Sequence, residues 1–233
     1  MSDGSLLEVE GLCTFYGTSQ ALFDASLVAP RTGGISILGL NGAGKTTLMK
    51  SIVGELEPAR GRVMFDGSDV TKVPTHQRIR QGLAYVPQEQ AVFGSLSVLE
   101  NLHLGGINNP DKSGIDRVVE IFPKLGDRMS QLAGTLSGGE RKMLGIGRAM
   151  LSNPKLLLLD EPTEGVWIGV VEEIAERLEK MASEICVIIV EQHVELALRI
   201  SSQAYVMDRG KVVMHGASDK LPDDPDFMRY LTP

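Results

Sequence analysis

The stretch Gly39-Leu40-Asn41-Gly42-Ala43-Gly44-Lys45-Thr46 constrains this chain more than any other. It has the spacing G-x-x-x-x-G-K-[ST], and its flanks are the ones that spacing requires. Residues 34–38 form a strand-length, mostly apolar run, and residues 45–53 read as a helix that Gly54 is placed to end. Glycines let the backbone curl so that several N–H groups point inward, and the helix adds the positive end of its dipole. A strand, a tight glycine loop and a helix in that order make a cradle for phosphate. Lys45 supplies a mobile cation, and Thr46 a hydroxyl for magnesium.

The rest of the chain alternates. Strands are expected at residues 6–10, 21–28, 63–65, 83–86, 155–159, 185–190, 204–207 and 211–215. Helices are expected at 98–104, 115–122, 140–151, 170–182 and 194–200. This order predicts an α/β fold with a parallel sheet covered on both faces, interrupted by a helical insert between Gln88 and Asn153. The tail from Leu221 to Pro233 holds three prolines and reads as a loose surface segment.

A net charge of −7, with Lys and Arg scattered among acids, argues against a general grip on a nucleic-acid backbone. No apolar run approaches the ~20 residues that cross a bilayer, and the first residues have no signal-peptide pattern. Cys13 and Cys186 lie far apart among apolar neighbours and read as buried free thiols. His76, His103 and His215 show no metal-ligand spacing.

Two further segments carry chemistry. Leu156-Leu157-Leu158-Leu159-Asp160-Glu161 is a buried strand that delivers two carboxylates at its C-terminal end, where α/β sheets bind ligands. Asp160 is suited to the magnesium shell and Glu161 to polarising an attacking water. Leu136-Ser137-Gly138-Gly139-Glu140 leads into a helix that Ser137 can cap, a second glycine-rich helix start separate from the first. Taken alone, that segment is equally a helix cap with a flexible turn. Beside the phosphate loop, it suggests a half-site for a different nucleotide across a dimer interface.

Together these motifs, in this order, resemble the ATP-binding-cassette family from about Leu6 to Gly216. The resemblance implies a P-loop NTPase (RecA-like) core with an antiparallel β subdomain, at 5–88 and 154–217. It also implies an inserted α-helical subdomain at 89–153 and a tail at 218–233. ATP and Mg²⁺ are the implied cofactors, with Gly39, Leu40, Asn41, Gly42, Ala43, Gly44, Lys45, Thr46 and Thr47 around the phosphates. Tyr16 matches the aromatic that stacks on adenine, and Gln88, after Tyr85-Val86-Pro87, the glutamine that joins Thr46 and Asp160 at the metal. His193 matches the histidine that contacts the γ-phosphate and would act with Glu161 and Lys45; in isolation it reads as a structural histidine. Ser137, Gly138, Gly139 and Glu140 would meet the ATP of a partner subunit.

Within that family, the segments 131–140, 143–149, 160–165 and 190–193 resemble the ATPase subunits of branched-chain amino-acid importers, and also those of urea and amide importers. This implies permease partners, a second cassette as homo- or heterodimer, an indirect substrate-binding protein and a place on the cytoplasmic face of the inner membrane. Val166-Trp167-Ile168 departs from the family, standing where many cassettes carry a bridging aspartate. Glu140 replaces a commoner glutamine, and Gln88-Glu89-Gln90 differs from the branched-chain pattern. A soluble cassette outside transport fits the catalytic motifs equally. A DNA-repair ATPase fits poorly, because the stretch between Gly44 and Leu136 is too short for a long paired arm. A sensor without hydrolysis fits poorly beside Glu161 and His193.

Overall fold

Two sheets share one chain. The computed structural model describes residues 4–107, 109, 111 and 113–232; Pro233 of the expected tail and residues 108, 110 and 112 of the expected helical insert lie outside the described residues. In chain order, β1 (Ser5–Tyr16) and β2 (Ser19–Pro30) lead to β3 (Gly33–Leu38) and α1 (Lys45–Val53). Then come β4 (Arg60–Phe65), β5 (Ser68–Asp69), α2 (Thr75–Arg80) and β6 (Leu83–Val86). A run of helices follows: α3 (Val98–Gly105), α4 (Gly114–Ile121), α5 (Pro123–Gly126) and α6 (Gly138–Met150). The chain closes with β7 (Leu156–Asp160), α7 (Ile168–Ala182), β8 (Cys186–Val190), α8 (Val194–Ile200), β9 (Gln203–Asp208) and β10 (Lys211–Ala217).

The larger sheet runs β10-β9-β3-β8-β7-β6, parallel except for the β9–β10 hairpin at its edge. Every residue of β7 and β8 is buried, which explains why both read as unbroken apolar runs rather than alternating ones. The pleat then sorts them. Leu156, Leu158, Ile188 and Val190 join Ile35, Ile37 and α1 in a core that reaches the antiparallel sheet β2-β1-β4-β5. Leu157, Leu159, Val187 and Ile189 face the opposite way, into a core with α3, α6 and α7.

Register positions the site. Ile37 pairs with Val190, and Val190 with Asp160, so the C-terminal ends of β3, β8 and β7 lie level at one edge. The loops leaving those ends therefore meet there.

Three sequence expectations change. The expected loose tail instead forms turns at Leu221–Asp223 and Met228–Tyr230 and buries Leu221 and Phe227 against Leu38, Ala197, Ala204 and Val206. Its Pro- and Asp-rich wording hides two apolar anchors. The first two strands are longer than expected, running together to a tight turn at Gly17-Thr18. α2 was not foreseen. It carries the fully buried Arg78, whose guanidinium donates to the carbonyls of Ser51 (3.0 Å), Ile52 (2.6 Å), Thr71 (2.9 Å) and Val73 (2.7 Å). Arg78 thus closes the C-terminal end of α1, beside Gly54 in its left-handed conformation.

Candidate functional site

The loop after β3 turns through left-handed glycines, with Gly39 at φ 147°, Gly42 at 82° and Gly44 at 101°. Gly44 is the N-cap of α1 and supplies no side chain to the helix start, and the first turn of α1 holds no acid. The amides there are left to a ligand. A Cβ on Gly44 would stand 3.2 Å from Gly210 Cα and from Leu22 Cδ2, so β2 and the β9–β10 turn press against the loop. Lys45 is buried and folds back over the loop, donating to the carbonyls of Gly39 (2.7 Å) and Leu40 (3.1 Å). Burial lowers its pKa against the pull of Glu161, Asp160 and Glu191.

Asp160 is buried at the end of β7. Its Oδ2 accepts from the Tyr85 hydroxyl at 3.3 Å, while Oδ1 is buried with no hydrogen bond of normal geometry. Burial raises its pKa, opposed by the nearby Thr46 and Tyr85 hydroxyls and by Lys45 and Lys142. An orphaned carboxylate oxygen beside a hydroxyl is a hard donor set, the kind magnesium takes.

Glu161 adopts φ 49°, in the left-handed region, where a side chain other than glycine is strained. Its carboxylate accepts from Gln88 Nε2 at 3.0 Å and from Gln192 Nε2 at 3.2 and 3.1 Å. Gln88 Nε2 also reaches Glu164 Oε2 at 2.7 Å, and Gln192 Nε2 reaches Asn41 Oδ1 at 3.0 Å. Burial raises the Glu161 pKa; the Gln192 hydrogen bond opposes that shift and Glu164 adds to it.

Asn41, Gly42, Gly44, Lys45, Thr46, Thr47, Gln88, Glu161 and Gln192 line one cavity of about 660 Å³. Gly39 and Leu40 line an adjoining one with Asn41 and Gln192, and Ala43 is packed in the core beneath. The phosphate loop and Glu161 are therefore brought together, and Asp160 is buried at the end of β7 close to Thr46 and Lys45.

Two residues are not. Tyr16 stands exposed at the end of β1, and among the described residues the aromatic in the cavity wall is Phe23. His193 is exposed at the start of α8 and lines neither cavity; Gln192 points at Glu161 and Asn41 in its stead. The cause is Glu191, buried and bound to the Thr163 N–H (2.9 Å) and hydroxyl (2.7 Å), which sets the phase of the turn. Continuing the alternation of Ile188 and Val190 past the strand end would have pointed to Gln192.

Ser137–Glu140 line neither of these cavities. Ser137 and Glu140 cap α6 reciprocally: the Glu140 N–H donates to Ser137 Oγ (3.3 Å), and the Ser137 N–H to Glu140 Oε2 (2.9 Å). Arg128 pairs with Glu140 at 2.6 Å. Gly138 and Gly139 lie against Gly165, Val166 and Val170, next to the exposed Trp167 and Ile168. Both cysteines are buried and free, burial pushing the Cys186 thiol up to about 12. No helix among the described residues is long and apolar enough to cross a membrane.

This arrangement recurs in known proteins. The ABC transporter family matches residues 22–164. The chain is 39% identical over 225 residues to the high-affinity branched-chain amino acid transport ATP-binding protein BraG of Pseudomonas aeruginosa, covering 94% of this chain and 96% of that one. It is 36% identical over 217 residues to the probable branched-chain amino acid transport ATP-binding protein LivF of Archaeoglobus fulgidus, covering 91% and 92%. A crystal structure of the ADP conformation of an ATP-binding cassette of an ABC transporter superposes with a TM-score of 0.85 at 29% identity, covering 97% and 98%. The chain belongs to the ABC transporter family, as one of its ATP-binding ATPases.

Proposed function

We propose that this chain is the subunit that hydrolyses ATP to drive an importer of branched-chain or hydrophobic amino acids, working through membrane permeases and a second cassette. The observation that carries the reading is the meeting of Lys45, Glu161, Gln88 and Gln192 in one cavity at the uncapped start of α1, with Asp160 buried at the end of β7 close to Thr46 and Lys45. The similarity to BraG and LivF along nearly the whole chain supports the amino-acid assignment.

The amides of Gly42 and of Gly44 to Thr47, with the Lys45 ammonium, hold the triphosphate; the Ala43 N–H is spent on the Leu40 carbonyl at 3.1 Å. Lys45 exchanges the Gly39 and Leu40 carbonyls for phosphate oxygens, a short swing for a side chain already over the loop. Thr46 and Asp160, with Gln88 at the rim, would hold magnesium, and the unpartnered Asp160 Oδ1 suits a hard cation. Magnesium, when bound there, would neutralise phosphate charge. Glu161 accepts a proton from the attacking water, with Gln88 and Gln192 fixing the carboxylate from two sides. A raised pKa suits that role by making Glu161 a stronger base. Gln192 stands toward the γ-phosphate, where the family resemblance implied His193. Tyr16 and Phe23 offer aromatic surface for the base, and Ser137–Glu140 serve the nucleotide of the other cassette.

A groove of about 630 Å³ lined by Ile79, Tyr85, Ala91, Leu104, Ile107 and Arg148 lies between the larger sheet and the helical segment. Its lining is mixed, with Arg80, Asn109 and Lys155 beside the apolar residues, which suits an amphipathic permease helix, and its wall includes Tyr85, which also touches Asp160. The test has two arms. Glu161→Gln should lower turnover by about 10²–10⁴ with ATP binding intact. Washed membranes should retain the chain with integral partners, and the reconstituted complex should take up leucine or valine. A chain that stays wholly in the soluble fraction would sink the transport reading while leaving the ATPase one standing.

A further inference from the structure

Lys142 lies outside every motif and outside the cavity lining, yet it grips the catalytic loop. It sits in the second turn of α6, half-buried, and its ammonium donates to the main-chain carbonyls of Gln88 (2.9 Å) and Glu161 (2.8 Å). These two residues are the ones whose side chains meet at the carboxylate. The Glu161 N–H is held separately by the Val190 carbonyl at 2.9 Å. The strained left-handed Glu161 is therefore pinned through the peptide groups on both sides of its Cα, by β8 on one side and by Lys142 on the other. Burial lowers the Lys142 pKa against the pull of Glu164, Glu191, Glu161 and Asp160.

We propose that Lys142 is a positioning residue that holds Glu161 in its working geometry and ties it to the Ser137 end of α6. The proposal rests on Glu161 being the base. Lys142 stands five residues after Ser137, about 7.5 Å along a rigid helix. The helix is wedged on the sheet, where a Cβ on Gly145 would meet Ala91 at 2.9 Å and Val86 at 3.4 Å. Any shift imposed on the Ser137 end therefore moves the Lys142 ammonium, and with it the carbonyls of Gln88 and Glu161. This gives a route, within one protomer, from the half-site for the partner's nucleotide to the carboxylate at its own. It also lies beside the Val166-Trp167-Ile168 stretch, where the bridging aspartate of many cassettes is missing.

The test uses the full chain with three readouts: steady-state ATP turnover, nucleotide affinity and Tm. Lys142→Met keeps the aliphatic stem and removes the donor. It should lower kcat on the order of 10²-fold, the scale of a misplaced catalytic group, while ATP affinity changes less than about threefold. Lys142→Arg should recover part of kcat. In a Glu161→Gln background, Lys142→Met should leave the residual turnover unchanged, because both act through one group. Wild-type kcat in Lys142→Met, or a loss that adds in full on Glu161→Gln, overturns the proposal. If Lys142→Met does not fold, Lys142→Leu, which also lacks a donor, carries the same expectations. Full turnover in Glu161→Gln alone would remove the base assignment instead, a result separate from any Lys142 outcome.

Discussion

α1 and α6 both begin with a glycine-rich turn, and both starts suit an anion, yet they are stabilised in opposite ways. α1 has no capping side chain at its N-terminus and no acid in its first turn; it is secured at its far end by Gly54 and the buried Arg78. α6 is secured at its N-terminus by the reciprocal Ser137–Glu140 cap, with Arg128 neutralising Glu140. The difference teaches that an anion site of the first kind stays ready because its stability comes from elsewhere. A site of the second kind is already satisfied within its own chain. A phosphate reaching α6 meets the Glu140 carboxylate that caps it.

Five substitutions break or sharpen this contrast. The largest effect belongs to Lys45→Met, which should cost about 10²–10³ in turnover, the scale of one lost electrostatic donor, with Tm nearly unchanged. Retained turnover would mean that the amides of α1 suffice alone. Arg78→Met comes next. It strips hydrogen bonds from four buried carbonyls and should destabilise the fold by about 3 kcal/mol in denaturant titration; a loss below that of a cap residue would show that α1 is not held from its far end. Ser137→Ala should cost only about 1 kcal/mol, the usual worth of an N-cap, and leave the ATP affinity of an isolated protomer as it was.

The smallest effects are those of charge, and their signs oppose. Asp160 has a pKa raised by burial, so its contribution to stability is present below the unfolded value and lost as pH rises through the folded one. Asp160→Asn should therefore raise the nucleotide-free Tm at neutral pH and lose that advantage in acid. Burial pushes Glu140 up as well, but the Ser137 N–H and hydroxyl and Arg128 outweigh it and hold the pKa down. Its contribution is present above the unfolded value and lost as pH falls through the folded one. Glu140→Gln should therefore lower Tm at neutral pH and change little in acid. Equal signs for both variants, read by thermal scans across pH, would erase the contrast between the two helix starts.

The legibility of this protein divides along the same line. The phosphate loop, the Asp160-Glu161 strand end and the Ser137 cap are all local arrangements, readable because a turn, a cap and a strand exit are set by residues a few positions apart. The helix from Lys45 to Val53 and the strand from Leu83 to Val86 stand where their patterns placed them. Gln192 was missed because its signal, the alternation of Ile188 and Val190 carried past the strand end, is easily overridden by a neighbouring histidine, and the one-residue phase after β8 is held by Glu191 reaching Thr163 in another strand's loop. Lys142 was missed for a different reason: its partners are main-chain carbonyls, which any sequence supplies. The packed tail was misread because Leu221 and Phe227 find their partners in β3, α8 and β9.

By itself, then, the amino-acid order determined that this chain would cradle a triphosphate, set two carboxylates beside it and begin a second helix with a capped serine. Each of those outcomes follows from backbone geometry within a single turn. Which side chains finally touch Glu161, what pins its strained backbone and where α1 draws its stability were decided only by the tertiary structure. Those contacts join segments far apart in sequence, and their register depends on which face of a strand meets which core.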